Sequence, residues 1–198
     1  MQRTKRAAEF AFIADALAAG DELRAKEIAA SKFQWERTAS KRKGISSARA
    51  LRVFVRDRFI DRYSSSKLLF PGALLAVAVL LPEQFPTHPN WKAGESHHVF
   101  WELWPVIDHV VPVTRGGIHD ESNFVTTSTN NNNAKGNALL EEIEWKLRPE
   151  PGPEETWDGL LSWYLRIIEI RPEILSNSQV MAWHKALGAI NHSQRDGT

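Results

Sequence analysis

The sequence predicts an α+β fold: a strand, a long turn, a second strand and a helix between about residues 103 and 147, flanked on both sides by helical segments. Three observations lead there. Apolar residues recur at helical spacing near both ends of the chain. Two short segments have strand character, one in which Trp104, Val106 and Ile107 lead into Asp108 and one rich in Val and Thr from Asn123 to Thr127. Between them lies a turn at Arg115-Gly116-Gly117. At 198 residues, with 42% hydrophobic and 25% charged side chains, the chain is long enough for one domain with a substantial core plus a helical extension.

From the N-terminus, residues 3–19 and 21–30 read as two short helices split at Gly20, with Asp21 placed to cap the second. The stretch SKFQWERTASKRKGISS (31–47) is a polar, basic connection. Ser46 or Ser47 then starts a third helix, ARALRVFVRDRFIDRY, with Leu51, Phe54, Val55 and Phe59 on one side and Arg49, Arg52 and Arg56 mostly on another. Such a helix could lie on a phosphate backbone or equally serve as a packing helix. The apolar run Leu68 to Leu81 is shorter than the roughly 20 residues a membrane span requires and contains Pro71 and Gly72, so it reads as a buried helix. Pro82, Pro86 and Pro89 keep 82–98 irregular. After the second strand the pattern turns helical from about Asn130, with Ala134, Ala138, Leu139, Ile143 and Leu147 at helical spacing. The linker RPEPGPEE precedes a C-terminal helical pair, WDGLLSWYLRIIEI and SNSQVMAWHKALGAI, interrupted by Pro172, in which Trp157 and Trp163 read as core residues. The last residues, NHSQRDGT, are expected to fray.

The absence of cysteine excludes disulfides and thiolate metal sites. The N-terminal stretch carries Glu9 and Asp15 among its apolar residues, unlike a signal-peptide core, so the expected location is cytoplasmic, with no membrane partner. The net charge is only +1, but residues 1–62 hold 15 Lys/Arg against 8 Asp/Glu while the remainder holds 10 against 16. That asymmetry suggests that the basic part faces an acidic polymer.

The strand–turn–strand–helix segment concentrates the chemistry. Asp108 offers an anionic oxygen and Asn132 a neutral carbonyl oxygen, the ligand types that Mg²⁺ prefers. His109 can be neutral near pH 7 and accept a proton from water. In a regular strand it would point away from Asp108, so a shared site calls for a bend after residue 107. Asn123 is better suited to holding the loop or the imidazole through its amide. Lys135, one turn beyond Asn132, and Arg115 in the turn could contact phosphates, as could Arg49, Arg52 and Arg56. His119 sits in the turn beside Asp120 and Glu121 and reads as solvated, and His97 and His98 read as ordinary positions.

The order Asp108-His109-VVP-VTR-Gly116-Gly117, then Asn123-Phe, then Asn132-Asn133-Ala134-Lys135-Gly136 resembles the HNH endonucleases of the ββα-metal superfamily over about 40 of 198 residues. The resemblance implies a central ββα-metal motif surrounded by N-terminal and C-terminal helices. It also implies that Asp108 and Asn132 bind Mg²⁺ or Mn²⁺, that His109 is the general base, and that Asn123 orients the catalytic loop. The Lys135-Gly136 pair anchors the alignment within the four-Asn run. Many members carry two pairs of cysteines that bind a structural zinc. The corresponding positions here fall on Asp61 and Ser64 and on Ser128 and Asn131, so no structural zinc is expected, and packing by Trp101, Trp104 and the Leu68–Leu81 segment is the expected substitute.

The expected organisation is a basic helical region (1–62), a nuclease core (63–148, motif 103–147) and a C-terminal helical region packed on it (149–198). The expected activity is metal-dependent hydrolysis of DNA phosphodiester bonds, in restriction, phage defence or a mobile element, leaving 5′-phosphate and 3′-hydroxyl ends. A homodimer would be one way to cut both strands. Two other functional classes stand beside it: a nucleic-acid-binding module that does not cleave, and a nuclease toxin acting on RNA or DNA.

Overall fold

The computed structural model describes residues 2–33, 44–88 and 90–195, with side chains described over 7–33, 44–88 and 90–190; most of the basic connection, residues 34–43, and the last three residues of the chain lie outside them. The fold is α+β. Among the described residues there are eight α-helices and one two-stranded antiparallel sheet.

Helices α1 (Gln2–Ala18) and α2 (Glu22–Lys32) form a hairpin. Gly20 turns the chain at φ +74°, and the Asp21 carboxylate caps α2 by accepting from Arg24 N–H. This hairpin has its own small core of Ile13, Ala16 and Ala25.

The main core lies elsewhere. Helix α3 (Ser47–Arg56), capped by Ser46, contributes Leu51 and Phe54. Helix α4 (Pro71–Leu80) is buried over most of its surface, as its unbroken apolar run requires. Helices α7 (Leu161–Ile170) and α8 (Ser178–Arg195) close the core with Tyr164, Ile168, Val180 and Leu187. Phe70 meets Tyr164 edge to face at 5.0 Å between ring centroids. Trp163 packs on this core from α7, whereas Trp157 precedes that helix and donates its indole N–H to Leu68 O at 2.8 Å. Since α3 is part of the same core as α4 and α8, the basic segment 47–56 is built into the body rather than appended to it.

Strands β1 (Pro105–His109) and β2 (Phe124–Ser128) pair with Asp108 opposite Val125 and His109 opposite Phe124. A short helix, α5 (Val99–Leu103), leads into β1, and α6 (Thr129–Lys135) follows β2 directly, capped by Ser128, which accepts from Asn131 N–H. The helix expected to run on to Leu147 stops at Lys135. Gly136 takes φ +55°, ψ −126°, outside the conformations an L-residue adopts easily, and the chain continues as a 3₁₀ turn at Leu140–Ile143.

The outer edge of β2 is closed without a third strand. Phe124 O and Thr126 O accept from the Arg56 guanidinium and Arg62 N–H, and the N–H groups of Thr126 and Ser128 donate to the carboxylates of Asp57 and Asp61. Both carboxylates are fully buried. The segment after α3 thus supplies the partners that a neighbouring strand would otherwise provide. No helix among the described residues is long and apolar enough to cross a membrane.

Candidate active site

Asp108 and His109 end β1 on opposite faces. The ladder stays regular through His109 and side chains alternate, so the bend after residue 107 that a shared site calls for is absent. Asp108 is buried: its Oδ2 accepts from the Tyr63 hydroxyl at 2.6 Å and forms an ion pair with Lys135 Nζ at 2.8 Å. Its Oδ1 has no partner among the described residues. Burial and the Asp108 carboxylate push the Tyr63 phenol far up, so it remains a donor at any pH where the protein is studied.

Lys135 is 2% exposed, and its ammonium also donates to His109 O at 2.8 Å. This placement corrects the expectation that Lys135 reaches a phosphate. It fixes Asp108 and the end of β1 from beneath. Arg115 lies on the surface with Glu142 at 2.7 Å. Arg49 and Arg52 hold Glu121 at 3.3 and 3.1 Å, and Arg56 holds Asp57, Glu121 O and Phe124 O. Of the two readings left open for α3, packing describes these contacts: its arginines clasp the β1–β2 connection and the β2 edge.

Asn123, buried at the entrance to β2, staples the turn. Its amide donates to Val111 O and Ile118 O, each at 2.9 Å, and its Oδ1 accepts from Val111 N–H at 2.9 Å. Gly117 belongs to the same staple: a Cβ there would stand 1.8 Å from Val111 O and 2.9 Å from Asn123 Nδ2.

His109 and Asn132 border one open cleft of about 690 Å³ together with Asp108. All five residues of β1 line it, so the cleft runs along the strand. Ile45, Phe54 and Trp183 form an apolar wall, and Asn133 and Asn137 add amides. Asn132 is half-buried and its side chain has no partner among the described residues.

The donor set bears on which cation could be held. Among the described residues no group of three or more His, Cys, Asp or Glu is arranged around one point. Asp108 Oδ1 and the Asn132 amide oxygen are hard oxygen donors on one cleft. Two such donors fit an ion like Mg²⁺, which keeps several waters and takes further ligands from a substrate phosphate. They do not fit a tetrahedral structural zinc.

Sequence reading missed three residues. His119 is half-buried, with Nδ1 3.1 Å from His109 Nε2, rather than solvated. Tyr63 had no distinguishing pattern around it. Asp61 is the third. Its Oδ1 accepts from Tyr63 and Ser64 N–H at 2.9 and 3.0 Å, and its Oδ2 from Thr127 Oγ1, Ser128 N–H and Asn131 Nδ2 at 2.9, 2.7 and 2.9 Å. The four positions aligned with zinc cysteines, 61, 64, 128 and 131, therefore meet around one carboxylate. Trp101 and Trp104 pack with Leu74 and Ala78 of the Leu68–Leu81 segment, and a charged hydrogen-bond hub joins the four positions besides.

No family model, curated protein or solved structure matches the chain.

Proposed function

We propose that the chain is a divalent-metal-dependent endonuclease of the HNH type that hydrolyses DNA phosphodiester bonds. The observation that carries this reading is that Asp108, His109 and Asn132 all line one cleft at a β-hairpin followed by a helix. The meeting of positions 61, 64, 128 and 131 around the Asp61 carboxylate also supports it, since the resemblance places two zinc-binding pairs at those positions.

In this reading Asp108 Oδ1 and Asn132 would hold Mg²⁺ or Mn²⁺. When bound, the cation supplies positive charge to the phosphate and its leaving oxygen. Tyr63 and Lys135 hold the other oxygen of Asp108, which leaves Oδ1 directed by two contacts rather than by chance rotation. His109 accepts the proton of the attacking water. Asn123 and Gly117 keep the loop above it in one shape. The apolar wall of Ile45, Phe54 and Trp183 limits water on one side of the cleft. DNA affinity would come from the excess of Lys and Arg over residues 1–62 that α3 does not commit to the hairpin, and it would fall with salt.

A second reading, a nucleic-acid-binding module without cleavage, is favoured by one contact. The Lys135 ammonium already neutralises Asp108, as it would in a site that never binds a cation.

Incubating supercoiled plasmid with the purified protein in Mg²⁺, Mn²⁺ or EDTA, beside His109→Ala, separates the two. Cleavage that needs metal and is lost in the variant supports the endonuclease. DNA retained on a gel without cleavage in any metal supports the binding module.

A further inference from the structure

Neither the family resemblance nor the expected roles in this chain assign anything to His119. We propose that it is a positioning residue for His109: by accepting the Nε2 hydrogen of His109 on its own Nδ1, it holds His109 in the tautomer whose Nδ1 carries the lone pair. This inference rests on the nuclease reading, in which His109 is the base.

The two ring nitrogens are 3.1 Å apart, so a single hydrogen lies between them. A neutral imidazole has one N–H. If His119 donated that hydrogen, His109 would carry its own on Nδ1, and neither of its nitrogens could take a proton from water without breaking the contact. Base function therefore requires His109 to be the donor. A water O–H breaks as its oxygen bonds to phosphorus and the P–O3′ bond opens, and the departing 3′ oxygen takes a proton from a solvent water to give the 3′-hydroxyl. The proton passes to His109 Nδ1, and the positive charge formed on the imidazolium strengthens its Nε2–H bond to His119.

The surrounding loop is organised to keep His119 in this place. Ile118 O is held by the Asn123 amide on one side of it. Asp120 caps the next turn through Ser122, whose hydrogen bonds hold that carboxyl below its usual range. Glu121 is clasped by Arg49 and Arg52. Phe124 packs edge-on against both imidazoles, with centroids 4.8 and 5.1 Å away. His119 Nε2 is buried without a partner among the described residues, so the assigned tautomer leaves an N–H unpaired there where the reverse one would leave a lone pair. The assignment rests on the chemistry required at His109, which outweighs that local cost.

The test uses the full chain, ¹⁵N-labelled at histidine and treated with EDTA, and reads the tautomer of His109 from its two-bond ¹H–¹⁵N couplings. Wild type, His119→Phe and His119→Asn are compared, with kcat and KM for plasmid cleavage in Mg²⁺ measured on the same proteins. The expected result is His109 protonated on Nε2 in wild type and mixed tautomers in His119→Phe. The Phe variant should lose about 10²- to 10⁴-fold in kcat, the range that a general base contributes, at unchanged KM. His119→Asn, whose Oδ1 accepts the same hydrogen, should recover most of the loss. Wild-type His109 protonated on Nδ1, an Asn variant no better than Phe, or an unchanged kcat in His119→Phe would each overturn the role of His119 in an enzyme that still cleaves. A wild-type protein that cleaves neither DNA nor RNA, with its tautomer as expected, overturns the nuclease reading and the positioning role with it.

Discussion

Replacing Asp61 with Asn changes one atom of a side chain that is fully buried and accepts five hydrogen bonds. The amide has one oxygen where the carboxylate had two, so its NH₂ must face donors on one side. Turned the cheaper way, it faces Tyr63 and Ser64 N–H and forfeits those two bonds, while the three bonds to β2 and α6 lose the carboxylate charge. Hydrogen bonds to a charged group contribute about 1.5–3 kcal/mol each, so two lost bonds cost about 3–6 kcal/mol. That is a large share of the roughly 5–15 kcal/mol that holds a domain together. In urea unfolding with a slope near 2 kcal/mol/M, the midpoint should fall by about 1.5–3 M with the slope unchanged. A fall of less than about 0.5 M would mean that the hub around Asp61 contributes no more than an ordinary surface contact, and the reasoning from its five hydrogen bonds would fail.

Three other expectations follow from neighbouring contacts. Lys135→Met leaves Asp108 buried with only the Tyr63 hydroxyl, and should cost about 3–5 kcal/mol in chemical denaturation while leaving the salt dependence of DNA binding unchanged; a loss of about one unit of salt slope without destabilisation would instead make Lys135 a phosphate contact. Gly117→Ala forces a Cβ onto Val111 O, so thermal unfolding should show clear destabilisation, and a melting temperature equal to wild type would contradict the tight staple at Asn123. The Tyr63 phenol has its pKa raised by folding from an ordinary value of 10.0, so its contribution to stability is complete below pH 10 and is lost as pH rises above that, when only the unfolded state ionises. Stability measured from pH 8 to 11 should fall more steeply in wild type than in Tyr63→Phe, and parallel curves would refute the burial of that hydroxyl.

Much of the fold was legible along the chain because its signals are local. Gly20 and Asp21 mark the break between α1 and α2, Ser46 starts α3, and Pro71 opens the buried helix α4, each through a preference acting within a few residues. Both strands were placed within a residue of their ends. The helix drawn through to Leu147 was misjudged because the apolar spacing continues past Gly136, where the backbone leaves helical geometry. Spacing reports which face is apolar, not whether the turn between two faces is helical.

What the sequence by itself determined is the order of the chemistry: an Asp-His pair ending a strand, a Gly-Gly turn, an Asn opening the next strand, and Asn132 in the helix that follows. Residue type and short spacing carry that information, because a strand, a turn and a capped helix are each built from neighbours. Only the tertiary structure decided which charges face which. Lys135 and the arginines of α3 carried the same charge in the sequence as any phosphate-binding side chain, but they point to Asp108, Glu121 and the β2 edge. His119 became a partner of His109, and Asp61 a hub for residues nearly 70 positions away. The sign of a charge is written in one residue, whereas its partner is set by packing between distant segments, where a buried ion without a counter-charge costs several kcal/mol.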